Sequence, residues 1–118
     1  MGMELRVLGS SSSGNCYILD NGNEALIIEA GIRFIDVKKA LDFNIRKVVG
    51  CLITHQHNDH AKYAKAMVDC GFHVLALPEV IESKELKGSR VKAIKVGSGY
   101  LLGGFRVIPC LLYTSPSP

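Results

Sequence analysis

Residues 48–60 read VVGCLITHQHNDH, an apolar run followed by three histidines and an aspartate. Val48 to Thr54 has the length and continuity of a strand buried on both faces. The polar cluster begins where that strand ends. The chain holds 4 histidines, and all but one of them are here. In an extended segment His55 and His57, two positions apart, would point the same way and converge on one ion. Asp59 and His60 follow as the chain turns into a helix, where they would face a second ion beside the first. Imidazole nitrogen and carboxylate oxygen are ligands for zinc and its neighbours. Two ions about 3.5–4 Å apart can share a water, lower its pKa and hold it as hydroxide for attack. The edge at the carboxyl end of a strand is also where α/β folds place their chemistry. The plain alternative is a polar surface loop. A lone histidine would deserve it, but four ligand-type residues at this spacing after a buried strand read as a metal site. His73, which opens a later strand without a ligand-spaced neighbour, reads as structural or exposed.

Outward from the cluster, strands and helices interleave. Glu4 to Leu8 alternates as a short strand, and GSSSSGN, Gly9 to Asn15, reads as a polar loop bounded by glycine. Cys16 to Asp20 is a second strand. Asn21-Gly22-Asn23 signals a hairpin turn, since both residue types tolerate positive φ. Glu24 to Ala30 is a third strand, apolar on both faces at its centre. Arg33 to Phe43 changes to the helical period, with Phe34, Val37, Ala40 and Leu41 on one face. A second helix is expected over Asp59 to Cys70, closed by Gly71, and a third over Pro78 to Leu86. His73 to Leu77 and Val91 to Val96 are strand-like, and Gly103-Gly104 joins two final strands. The class is therefore α/β, or α+β with an early antiparallel meander.

The totals bound the function. At 118 residues there is one core, and 47% apolar with 21% charged residues describes a soluble globular chain. No apolar run approaches the roughly 20 residues that span a bilayer, so no membrane role is expected. The first ten residues lack the pattern of a signal peptide, and a cytoplasmic location is the default expectation. The net charge of +3 permits an acidic partner without arguing for one. Cys16, Cys51, Cys70 and Cys110 are widely spaced and read as small hydrophobes rather than a disulfide framework.

THQHNDH, the strand before it, and LIIEAGI at Leu26 to Ile32 together resemble the metallo-β-lactamase-fold hydrolases, whose signature is HxHxDH. The resemblance covers nearly all of Met3 to Pro109. It implies a four-layer αββα sandwich with its metals at the edge of two sheets. Residues 1–109 would be a partial domain, the N-terminal half of that sandwich. It implies that His55 and His57 bind the first metal, and that Asp59 and His60 bind the second. Asp59 would also be the catalytic residue, orienting the bridging water or taking its proton. The implied cofactor is zinc, two ions in the complete protein, with manganese as the substitute. GSSSSGNC narrows the resemblance to a subgroup with exonuclease-like and phage-encoded members. Its serines and backbone N–H groups would suit a phosphate, or form an ordinary solvated hairpin loop. One departure stands out: many members carry Asp-x-Gly after the third strand, where this chain has Glu29-Ala30-Gly31. Glu29 is for that reason kept out of the expected ligand set.

The leading expectation is a metal-dependent hydrolase of DNA or RNA phosphodiesters, exonuclease-like, with Arg46, Lys47, Lys62 and Lys65 as candidate phosphate contacts or simply solvated charges. The alternatives are a metallohydrolase of a small molecule, such as a thioester or lactam, and a non-catalytic metal-binding module. Nucleic-acid binding would weaken steeply with salt, which separates the first two. No residue after His60 matches the family's remaining ligands, and Phe105 to Pro109 looks like the strand just before the third ligand motif. The chain is therefore expected to be a fragment, inactive alone, with an apolar sheet face left open. CLLYTSPSP, Cys110 to Pro118, resembles an adapter-derived, non-native tail, against the alternative of a natural disordered end.

Overall fold

The computed structural model of the protein describes residues 2–109. The expectation of a non-native tail over residues 110–118, and Cys110 with it, lies outside the described residues. Six strands form one sheet in sequence order: β1 Glu4–Ser11, β2 Gly14–Asp20, β3 Ala25–Ile28, β4 Val48–Ile53, β5 Val74–Ala76 and β6 Val91–Ala93. β1, β2 and β3 are antiparallel neighbours, while β3, β4, β5 and β6 run parallel. The parallel strands are linked by helical crossovers: α1 Phe34–Ala40, then α2 Asn58–Ala61 with α3 Ala64–Asp69, then α4 Pro78–Ser83. A final hairpin, β7 Tyr100–Leu102 and β8 Phe105–Val107, makes a separate two-stranded sheet.

Alternation along the strands builds two cores. On one face Cys16, Ile18, Ala25, Ile27, Cys51, Ile53, Val74 and Ala76 pack with Val37, Ala61, Ala64, Met67 and Val80 from the helices. On the other, Leu26, Leu52 and Leu75 meet Leu102 and Phe105 of the hairpin. The central strands are thus apolar on both faces because both faces are covered. The layers are helices, main sheet and the beginning of a second sheet, in keeping with the expected half-sandwich. The open apolar face is smaller than expected, because the β7–β8 hairpin shields its middle. Its outer part remains: Leu5 and Val7 on the edge strand are 57% and 55% exposed.

Local expectations change at several points, the helix from Pro78 ending at Ser83 and the strand from Val91 at Ala93. Gly9 to Asn15 is not a loop. Ser10 and Ser11 pair with Asn15 and Gly14, after a register shift between Val7 and Gly9, so the hairpin turns tightly at Ser12-Ser13. Backbone pairing is indifferent to side-chain polarity at an exposed strand end. The first helix stops at Ala40, since Asp42 and Phe43 adopt positive φ. The second is broken between Ala61 and Ala64, where the Tyr63 N–H donates to Ala30 O. Cys16, Cys51 and Cys70 are free thiols. Burial, with a smaller push from the charge of Glu29, raises Cys16 to about 12, in keeping with its place in the core.

Candidate metal centre

The site lies at the carboxyl ends of β3 and β4. Parallel pairing puts Ile28 beside Leu52, so the residues leaving each strand, Glu29 and Thr54, emerge together. The Glu29 N–H still donates to Leu52 O at 2.7 Å. At that point the backbone of Glu29 turns to φ 73, an unusual conformation for a non-glycine residue. The next two residues dock the helical segment. Ala30 N–H donates to His60 O at 2.6 Å, and Ala30 O accepts from Tyr63 at 2.8 Å. Gly31 passes so close to Asp59 that an added Cβ would overlap the Asp59 carbonyl and lie 2.6 Å from Asn15 N. Only glycine leaves room for that crossing.

Glu29 is buried, at 5% exposure, and a buried carboxylate must be hydrogen-bonded. Thr54 does most of this: its N–H donates to Oε1 at 3.0 Å and its hydroxyl donates to Oε2 in a short bond. The same hydroxyl oxygen is 2.6 Å from His55 Nδ1. A threonine hydroxyl carries one proton. Given to Glu29, it leaves the oxygen an acceptor, so His55 is protonated at Nδ1 and its Nε2 carries the free lone pair. Metal-binding histidines commonly have one nitrogen fixed in this way by an oxygen partner.

His60 stands against His55, with ring centroids 4.5 Å apart. Its Nδ1 is 3.2 Å from Glu29 Oε2. That distance suits an ion pair, but the approach is off the hydrogen-bonding line, and Nδ1 is a buried nitrogen without a hydrogen-bond partner. The missing alignment decides against a hydrogen bond, since hydrogen bonds weaken steeply off-axis. His60 Nε2 lies 3.5 Å from Asp59 Oδ2, close to the edge of about 3.4 Å of a tetrahedron with bonds of about 2.1 Å. Glu29, His55 and His60 offer ligand atoms that all lie within 4.8 Å of one another. An unpartnered buried nitrogen inside an oxygen and nitrogen donor set fits a divalent ion such as zinc or manganese.

Of the residues expected from sequence, His55, Asp59 and His60 come together here. His57 does not join the 4.8 Å group. Gln56 and His57 form a bend, so the side-chain alternation of a straight strand does not carry over, and His57 instead precedes α2 with extended backbone. Glu29, left out of the expected set, is at the centre. Its signal was present in the spacing of Glu29-Ala30-Gly31 after an apolar strand, but its proximity to Thr54 exists only through the β3–β4 pairing. Asn15 is a second addition, with Nδ2 3.1 Å from Asp59 O and 3.3 Å from Asp59 Oδ2. Lys84 is a third; it reaches from the end of α4 to donate to Asn58 Oδ1 at 2.5 Å.

The basic residues divide. Lys62 and Lys65 are exposed on the helical segment after the cluster. Arg46 and Lys47 precede β4 and so stand at the opposite end of that strand from His55. Lys47 is also engaged, 2.7 Å from Asp20 Oδ2. This bond, with the Gly22 N–H, holds the Asp20 carboxyl below the usual carboxylate range. These two residues are therefore not phosphate contacts of the site. His73 is exposed, as expected.

Comparison with known proteins gives a consistent picture. The family model for the metallo-beta-lactamase superfamily matches residues 10–69. A protein of Bacillus anthracis named exodeoxyribonuclease YycJ is 35% identical over 65 residues, 52% of this chain and 25% of that protein. Among solved structures, the metallo-beta-lactamase fold protein YhfI of Bacillus subtilis is similar with a TM-score of 0.68 at 15% identity, covering 92% of this chain and 52% of that one. The chemotaxis sensor ODP, described as a peroxy diiron species, has a TM-score of 0.69 at 15% identity, covering 97% and 52%. The chain thus spans about half the length of these solved structures and a quarter of the curated relative.

Proposed function

The chain belongs to the metallo-beta-lactamase superfamily, and from that premise we propose that the protein carrying it is a cytoplasmic, metal-dependent hydrolase of nucleic-acid phosphodiesters. The observation that carries the metal reading is the unpartnered buried Nδ1 of His60, in a residue whose ligand atoms group with those of Glu29 and His55 and whose Nε2 lies 3.5 Å from Asp59 Oδ2. The likeness to an exodeoxyribonuclease supports the choice of substrate. His55, His57, Asp59 and His60 are the proposed ligands of two ions, zinc or manganese. When bound, the ions supply Lewis acidity and an activated water.

The chain's own residues do the rest. Thr54 fixes the tautomer of His55. Glu29 holds Thr54 by two hydrogen bonds and through it fixes His55, while its Oε2 lies 3.2 Å from His60 Nδ1. We assign it an orienting role through Thr54, which engages one lone pair on each of its oxygens. Asp59 orients the attacking water and accepts its proton. Lys62 and Lys65, exposed beside the cluster, offer positive charge to a phosphate backbone.

The test uses the full-length protein with labelled single- and double-stranded DNA and RNA, in zinc or manganese. Cleavage is expected, with metal content falling in both His57→Ala and His60→Ala. Unchanged metal content in both variants would remove the ligand assignment. Absence of cleavage together with turnover of a thioester or lactam would move the substrate to a small molecule.

A further inference from the structure

Asn15 is 44 residues from Asp59 in sequence, yet its side-chain amide grips Asp59 twice. The amide nitrogen has two hydrogens and three oxygens around it: Ser11 O at 3.0 Å, Asp59 O at 3.1 Å and Asp59 Oδ2 at 3.3 Å. One hydrogen serves the hairpin carbonyl, and the other is shared between the two oxygens of Asp59. The amide cannot be turned over, because its oxygen would then face three oxygens. Tyr17 supports the same orientation, its hydroxyl 3.4 Å from Asn15 Oδ1. The hold is braced by backbone: Gly31 N–H donates to Asn15 O at 2.9 Å, and Gly31 in turn runs against Asp59. The hairpin tip, the turn after β3 and the start of α2 are thereby locked into one unit. The Asp59 oxygen that Asn15 holds is the one that faces His60 Nε2.

We propose that Asn15 is a positioning residue for the second metal position, aiming the Asp59 carboxylate toward His60 through its side-chain amide. The proposal rests on the two-ion reading above. It assigns to the asparagine of GSSSSGNC a role in metal placement that differs from phosphate contact by the serines.

Cobalt(II) titration of the full-length protein, followed by absorption, reads uptake of the first and the second ion as successive steps. Asn15→Ala removes the amide, and Asn15→Leu removes it while keeping most of the volume. Both are expected to weaken uptake of the second ion by about 10- to 100-fold, the usual cost of losing a partner that orients a ligand. Uptake of the first ion should stay within about twofold, and the melting curve of the metal-free protein should change little. Two-ion binding in both variants as tight as in wild type would overturn the proposal. So would equal weakening at both positions, or loss of folding in both variants, because either would make Asn15 part of the general scaffold. A wild-type protein that takes up fewer than two ions would overturn the two-ion reading itself, and this proposal with it.

Discussion

Replacing Glu29 by glutamine exchanges one carboxylate oxygen for an NH2 group at almost constant size. In the native arrangement Oε1 accepts the Thr54 N–H and Oε2 accepts the Thr54 hydroxyl. The glutamine oxygen must stay on the Thr54 N–H, so the new NH2 group faces the hydroxyl. That hydroxyl then becomes an acceptor, and its single proton turns toward His55 Nδ1, 2.6 Å away. His55 must shift its own proton to Nε2, the nitrogen that would otherwise bind metal. The variant is therefore expected to lose about 10- to 100-fold in affinity at the position His55 serves. That is roughly 1.4–2.7 kcal/mol at 1.36 kcal/mol per tenfold. Thr54→Val removes the same link from the other side and should weaken the same position. Because both act through one chain of hydrogen bonds, the double variant should be no worse than the worse single one. Zinc affinity of the full-length protein, measured by competition with a chromophoric chelator, checks the prediction, with thermal melts as the control for folding. Wild-type affinity in Glu29→Gln, or fully additive losses in the double variant, would refute the proton accounting.

Gly31→Ala should destabilise the fold by about 1–3 kcal/mol, since the new methyl must displace the Asp59 carbonyl or the Asn15 backbone; an unchanged urea midpoint would refute the close crossing. Asp20 has a folded pKa held below its unfolded value, mainly by Lys47. Its contribution to stability is therefore fully present above the unfolded value of about 3.9 and is lost as the pH falls through the lower, folded value. Urea unfolding across that acid range should show a steeper decline for wild type than for Asp20→Asn, and superimposable curves would contradict the assignment.

The apolar run Val48 to Thr54 and the ligand spacing after it were legible because both are local. Continuous hydrophobicity marks a strand covered on two faces, and metal chemistry restricts residue types wherever they occur. The antiparallel start and the helical crossovers followed from the same periodicities, and the resemblance carried by HxHxDH pointed to the superfamily that the family match assigns. The sequence could not say which cations were free. Lys47 reads as an ordinary surface charge until the strands bring it to Asp20, 27 positions away. It could not separate loop from strand at Ser10 and Ser11, because a backbone ladder leaves no mark on polar, exposed side chains. Nor could periodicity see the break at Lys62-Tyr63, which exists because Ala30 O captures the Tyr63 N–H. The largest difference lies at the site. Spacing supplies ligands that are neighbours in the chain, whereas Glu29 and Asn15 reach the cluster only through strand pairing and the Gly31 crossing. Their roles depend on hydrogen-bond directions fixed to within a few tenths of an ångström, and contacts between residues 25 and 44 positions apart are set by packing of the whole sheet.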